Sequence, residues 1–179
     1  MRLVRQLSFV LGTAIALCGC AGYRLGPATG AAPGAKSIHV QPFANRTMEP
    51  GLADPLVAAL RKQLQRDGTY RLTAQADADL VLGGEIIEYK RAELSYNPAD
   101  AVSTLDYRLT ITARAVARER STGRQILDKQ FQASTLVRVG ADLATAERQA
   151  LPLLAESLAK SITDALVDDD WEDAAPPSQ

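Results

Sequence analysis

The sequence predicts an α+β fold: a two-layer sandwich with two helices packed on one face of a mostly antiparallel four-stranded sheet. Three observations predict it. Asp106 to Glu119 and Gln125 to Val137 alternate apolar and polar residues on either side of a Ser121-Thr122-Gly123 turn, the mark of an antiparallel hairpin with one packed and one wet face. Leu52 to Arg66 and the stretch from Leu143 to Leu166 carry apolar stripes at helical spacing. The element order is strand, helix, three long strands, helix, which puts the helices on one side of a single sheet.

The first strand is Ser37 to Phe43, with Ile38 and Val40 pointing one way and His39 and Gln41 the other. Asn45 to Pro50 is rich in turn formers. The first helix follows, its stripe built from Leu52, Leu56, Val57, Leu60 and Leu64. Arg61, Lys62, Gln65 and Arg66 lie opposite, with the basic end complementing the helix dipole, and Gly68 is the stop. Pro55 is tolerated because it sits near the helix start. A helix after the first strand allows a right-handed crossover, so the next strand can lie parallel to the first.

Tyr70 to Thr73 is a short extended piece. Leu80 to Arg91 is a long strand whose apolar phase changes partway, since Leu80, Leu82 and Ile86 share one parity while Ile87 and Tyr89 take the other. The Gly83-Gly84 pair is a place for a bulge that resets the register. Ala92 to Thr104, with Asn97 and Pro98, reads as the longest irregular loop of the folded part. In the next strand Tyr107, Leu109, Ile111, Ala113, Ala115 and Ala117 face inward, and Arg108, Thr110, Thr112, Arg114 and Arg118 face outward. The return strand places Leu127, Phe131, Ala133 and Val137 inward. Asp142 caps the last helix, and Pro152 inside it predicts a kink or a split, because proline removes a donor and costs about 3 kcal/mol in a helix interior.

The ends read differently. Arg2 and Arg5 precede an apolar run from Leu7 to Leu17, 11 residues against the roughly 20 that a spanning helix needs. Residues 1–19 therefore read as a signal peptide. Leu17-Cys18-Gly19-Cys20 looks like a lipoprotein cleavage box, with Cys20 as the acylated residue; the plain alternative is secretion without a lipid. Two acyl chains suffice for stable anchoring, as each buried CH₂ contributes about 0.8 kcal/mol. Ala21 rather than Asp follows the cysteine, which by resemblance to known sorting patterns points to the outer membrane. Residues 20–35 hold Gly26, Pro27, Gly30, Pro33 and Gly34 and form a tether. Residues 36–167 are the folded domain. From Asp168 to Gln179 the chain is an acidic tail of disordered composition around Trp171, the sole tryptophan.

Net charge is −1, so no excess of positive charge argues for nucleic acid. Both cysteines precede the domain, so it holds by packing and not by disulfides. His39 is the one histidine, and no zinc set of His and Cys can form. Asp77 and Asp79 lack the spacing of a calcium loop. No phosphate loop and no G-x-S-x-G elbow occur. The reading is a non-enzyme with no cofactor beyond the diacylglycerol and N-acyl (palmitate-type) lipid on Cys20.

What remains is a surface. Arg108, Arg114 and Arg118 line the wet face of one strand, and Lys90 and Arg91 end its neighbour. Guanidinium groups bind phosphate and carboxylate in bidentate fashion, so this face suits an acidic lipid headgroup or a polar barrel interior. The competing reading is a solvated face with cross-strand pairs, such as arginine against Asp128.

Four stretches together resemble the LPS-assembly lipoprotein family LptE. They are Cys20-Ala21-Gly22-Tyr23-Arg24-Leu25; Phe43-Ala44-Asn45-Arg46-Thr47 with Glu49-Pro50-Gly51-Leu52; Ala78-Asp79-Leu80-Val81-Leu82 with Gly84, Ile86 and Tyr89; and Ala146-Glu147 with Ala150-Leu151-Pro152. Ala21 is inserted where many members pass directly from Cys to Gly. The resemblance implies a periplasm-facing outer-membrane lipoprotein of a Gram-negative envelope that plugs the LptD β-barrel, assists its assembly and contacts lipopolysaccharide. Lys90, Arg91, Arg108 and Arg114 are the candidate contacts, chosen from surface logic and not carried over from the family. A different lipoprotein adaptor, of the curli- or Tol-associated kind, is the alternative, since such proteins share an F-x-N-x-T-like segment. A periplasmic enzyme is the third reading, and it lacks a candidate site.

Overall fold

Alternation and stripe meet in one apolar layer. The computed structural model describes residues 33–75, 77–97, 100–138 and 142–168. The signal peptide, Cys20, most of the tether, Trp171 and the acidic tail beyond Asp168 lie outside the described residues.

The elements are β1 (Lys36–Val40), β2 (Ala44–Asn45), α1 (Ala53–Asp67), β3 (Tyr70–Leu72), β4 (Leu80–Asn97), β5 (Asp100–Glu119), β6 (Gln125–Arg138) and α2 (Leu143–Asp168). They form one sheet of order β3-β1-β4-β5-β6, with β2 pairing β4 on the β1 side. The class and the two helices are as expected, and the long ladders are antiparallel, but the sheet is mixed and has more than four strands. It has six strands: β1 runs parallel to both β3 and β4, β2 runs parallel to β4, and only β4-β5-β6 is antiparallel. The cause is local brevity. Three-residue β3 and two-residue β2 are too short to show a period, and α1 supplies the crossover that makes β1 and β3 parallel.

The expected loop from Ala92 to Thr104 is also corrected. β4 continues to Asn97 and β5 starts at Asp100, with Tyr96 opposite Thr104 and Asn97 opposite Asp100. Backbone pairing with β5 overrides the weak strand propensity of Asn and Ala there.

The register reset falls at Ile87, not at the glycine pair. Pairing runs unbroken from Leu80↔Glu119 to Ile86↔Ala113, then skips to Glu88↔Thr112. Core positions thus shift from Leu80, Leu82 and Ile86 to Tyr89. Gly84 serves a different end: a Cβ there would stand 2.1 Å from the Arg114 carbonyl oxygen and 2.7 Å from Phe43 Cε1. The Phe43 ring, only 4% exposed, packs over a strand that has no side chain at this point.

The core is continuous. Ile38, Leu80, Leu82, Ile86 and Leu109 from the sheet meet Leu56, Leu60 and Leu64 of α1 and Leu154, Leu158, Ile162 and Leu166 of α2. Gly68 closes α1 in the left-handed region at φ 76°, its N–H donating to Leu64 O at 3.1 Å. Asp142 caps α2 as expected: Oδ2 accepts from Thr145 N at 2.9 Å and Oδ1 from Ala144 N at 3.2 Å. α2 is not split at Pro152, which is exposed, as is Arg148, whose carbonyl loses its donor there. No helix among the described residues is long and apolar enough to cross a membrane.

Candidate functional site

Both helices cover the same side of the sheet, so the other side is open. Its residues follow from the pleat. Arg108, Thr110, Thr112, Arg114, Val116 and Arg118 of β5 alternate with buried Leu109, Ile111, Ala113, Ala115 and Ala117. Across the strands Arg114 lies between Glu85 and Gln130, Thr112 between Glu88 and Gln132, Thr110 between Lys90 and Ser134, and Arg108 between Ala92 and Leu136.

Electrostatics divide the cations on this face into two kinds. Arg114 grips Asp128 with two hydrogen bonds, Nε to Oδ1 at 2.6 Å and Nη2 to Oδ2 at 2.5 Å. That grip holds the Asp128 carboxyl below its ordinary range and raises Arg114 further. Lys90 Nζ lies 2.6 Å from Glu88, Arg46 Nε 3.1 Å from Glu85, and Arg138 Nε 2.9 Å from Asp106. Arg108 and Arg118 are exposed and form no ion pair among the described residues, although the Arg118 charge also depresses Asp128. Two guanidinium groups on one strand are thus available to an outside anion.

Beside Arg114 and Arg118 lies a shallow groove of about 370 Å³. Gly83 and Gly84 floor it, Gln41 and Ala44 form one wall, and Arg46, Arg114 and Arg118 rim it. The first strand's continuation makes that wall: Gln41 N–H donates to Leu82 O at 2.8 Å and Arg46 N–H to Ile86 O at 2.9 Å.

The structure brings Lys90, Arg108 and Arg114 together on the open face, as the sequence suggested. Arg91 is the exception. The bulge at Ile87 turns it to the helix-covered side, opposite Leu109. There Arg91 Nη2 donates to Glu49 Oε2 at 2.7 Å, Nε makes an ion contact with Glu147, and the guanidinium lies 5.4 Å from the Tyr89 ring centroid. Burial and the Glu147 charge push the Tyr89 hydroxyl up. The Arg91 pKa rises against the pull of its own burial, held by Tyr89 and Glu147. Arg91 is therefore a clamp joining the Glu49 loop, β4 and the first turns of α2.

Arg46 is the groove-rim residue that sequence reasoning passed over. Its signal was its place in the Phe43-Ala44-Asn45-Arg46-Thr47 stretch. Asn45 fixes that turn: its Oδ1 accepts from Thr47 N at 3.0 Å and its Nδ2 donates to Glu49 O at 2.7 Å. Among the described residues no three metal-ligating side chains cluster. Cys20 lies outside them.

A family model described as lipopolysaccharide-assembly, LptE, matches residues 35–166. Among solved structures, the PelC dodecamer from Paraburkholderia phytofirmans is similar at TM-score 0.53 and 18% identity, over 80% of this chain and 96% of that one. A minor lipoprotein from Acinetobacter baumannii is similar at TM-score 0.50 and 20% identity, over 74% of this chain and 92% of that one. At such identities the likeness is one of fold. No curated protein matches the chain.

Proposed function

Because this chain belongs to the LptE lipopolysaccharide-assembly family, we propose that it is the lipoprotein subunit of an outer-membrane lipopolysaccharide exporter. In this role it plugs an LptD-like β-barrel, helps that barrel assemble and touches lipopolysaccharide in transit. Cys20 carries the lipid anchor.

The open sheet face is the observation that carries this reading. A wide barrel that its own side chains cannot fill needs a plug, and its lumen is polar. The chain buries its apolar layer against its own helices and leaves Arg, Thr, Gln and Ser outward on the sheet. Such a face exchanges water for polar lumen groups at small cost, because every group on it can find a partner. Arg108 and Arg118, which have no ion pair among the described residues, suit with Lys90 and Arg114 the phosphates and carboxylates of lipopolysaccharide or acidic lumen residues.

Affinity purification of the full-length protein from outer membranes tests this. The expected result is recovery of a large β-barrel protein in near-equal amount. Recovery of the protein alone, or with a peptidoglycan-bound partner, overturns it.

A further inference from the structure

β6 ends the sheet. No described strand pairs with its outer edge, although it is 14 residues long. Such an edge leaves alternate backbone N–H and C=O groups open to another chain, and proteins usually blunt it with charge, proline or a bulge. The other open edges are blunted. β3 has only three residues, and β4 beyond Ile86 carries a register shift followed by Lys90 and Arg91. β6 is not: Gln130 to Val137 contains no charged residue, no proline and no glycine, and its pairing with β5 is unbroken from Arg138 to Leu127.

We propose that the outer edge of β6 accepts, by strand addition, an extended segment of the barrel partner's own chain. This rests on the barrel reading above. The side chains specify the guest. Gln130, Gln132 and Ser134 continue the open polar face row by row from Arg114, Thr112 and Thr110. On the other side Phe131 and Thr135 are half-buried beside buried Ala133 and Val137. An added strand therefore meets a polar row on one side and an apolar shelf on the other. Strands of membrane barrels alternate in this way before closure, and the uncharged edge favours an uncharged stretch of guest. Backbone hydrogen bonds supply the affinity, as in other strand-addition complexes. This gives a barrel chain a template on which to extend.

The test is residue-resolved amide exchange on the free full-length protein and on the membrane-purified complex. Within Gln130 to Val137, the alternate amides not bonded to β5 are expected to slow by about tenfold or more in the complex. An intact complex with those amides unchanged overturns the strand-addition proposal and leaves the plug reading standing. Wild-type protein that recovers no barrel overturns both. A free protein that is already dimeric, with the same amides protected, assigns the edge to a second copy and also overturns the proposal. Gln132→Lys with Ser134→Lys guards the edge at two exposed positions; barrel recovery should fall at unchanged Tm, and wild-type recovery contradicts the proposal.

Discussion

Asp79 Oδ2 accepts two hydrogen bonds from Ser37, one from its backbone N at 2.7 Å and one from its Oγ at 2.6 Å. The Asp79 N–H returns one to Ser37 Oγ at 3.0 Å. One carboxylate thus ties the start of β1 to the start of β4, before parallel pairing begins at Ile38↔Leu80. The Ser37 bonds come first in depressing the Asp79 pKa. Because the folded value is lowered, the stabilisation is present above the unfolded value of about 3.9 and is lost as pH falls through the folded one. Asp79→Asn should lower stability near neutral pH by about 1 kcal/mol. The difference from wild type should shrink toward pH 3, as followed by urea denaturation at several pH values.

Gly84 has the closest surroundings of the described glycines. Gly84→Ala places a methyl group against the Arg114 carbonyl and the Phe43 ring, and neither can move far. We expect a loss of about 1–3 kcal/mol, read from thermal unfolding. Gly84→Ala combined with Phe43→Leu should not restore full stability, because the carbonyl contact remains.

Arg91 and Lys90 are neighbours with opposite roles. Arg91→Ala leaves Glu147, 8% exposed, without its counter-ion. Destabilisation of about 1–2 kcal/mol is expected, less than for a fully buried pair because Arg91 is itself part-exposed. Barrel recovery should be unaffected once folded protein is compared. Lys90→Glu should do the reverse, lowering recovery with little change in Tm. Paired melting curves and pull-downs separate the two.

How far the sequence reveals this molecule depends on segment length. The β5-β6 hairpin, both helices, the Gly68 stop and the Asp142 cap were legible, because each spans several periods or uses a side chain with one strong local role. β2 was not, since two residues carry no period; β3 was legible as the short extended piece Tyr70 to Thr73, but three residues carry no period that would place it in the sheet. The last third of β4, from Ala92 to Asn97, was hidden because Asn97 and Pro98 look like loop residues, whereas pairing to β5 decides the matter. The candidate site was legible in the same measure. Alternation placed Arg108 and Arg114 on the wet face directly. Arg91 was misplaced because it was grouped with Lys90 as the basic end of the strand, although a bulge at either Gly83-Gly84 or Ile87 turns Arg91 to the packed side. The cross-strand pairing of arginine with Asp128, raised as the ordinary explanation of the face, is real for Arg114; Arg108 and Arg118 are the ones it leaves over.

Arg108→Glu tests that remainder. Arg108 is exposed and has no ion pair to lose among the described residues, so Tm should hold. Recovery of the barrel, or of lipopolysaccharide, should fall. Unchanged recovery would leave Arg108 a solvated residue.

Cys20→Ser addresses the anchor. Intact mass of membrane-extracted protein should lose the acyl increment, and the protein should move from the membrane to the soluble fraction. Identical masses, apart from the single-atom change, would mean that no lipid is attached there.

The central claim is that the open sheet face meets the inside of a β-barrel. Gln41 is exposed in the groove that Arg46, Arg114 and Arg118 rim. A photo-cross-linker replacing Gln41 in the native membrane should give one adduct, whose mapped peptide faces the lumen of a large outer-membrane barrel. An adduct confined to a peptidoglycan-bound or soluble periplasmic protein would contradict the account.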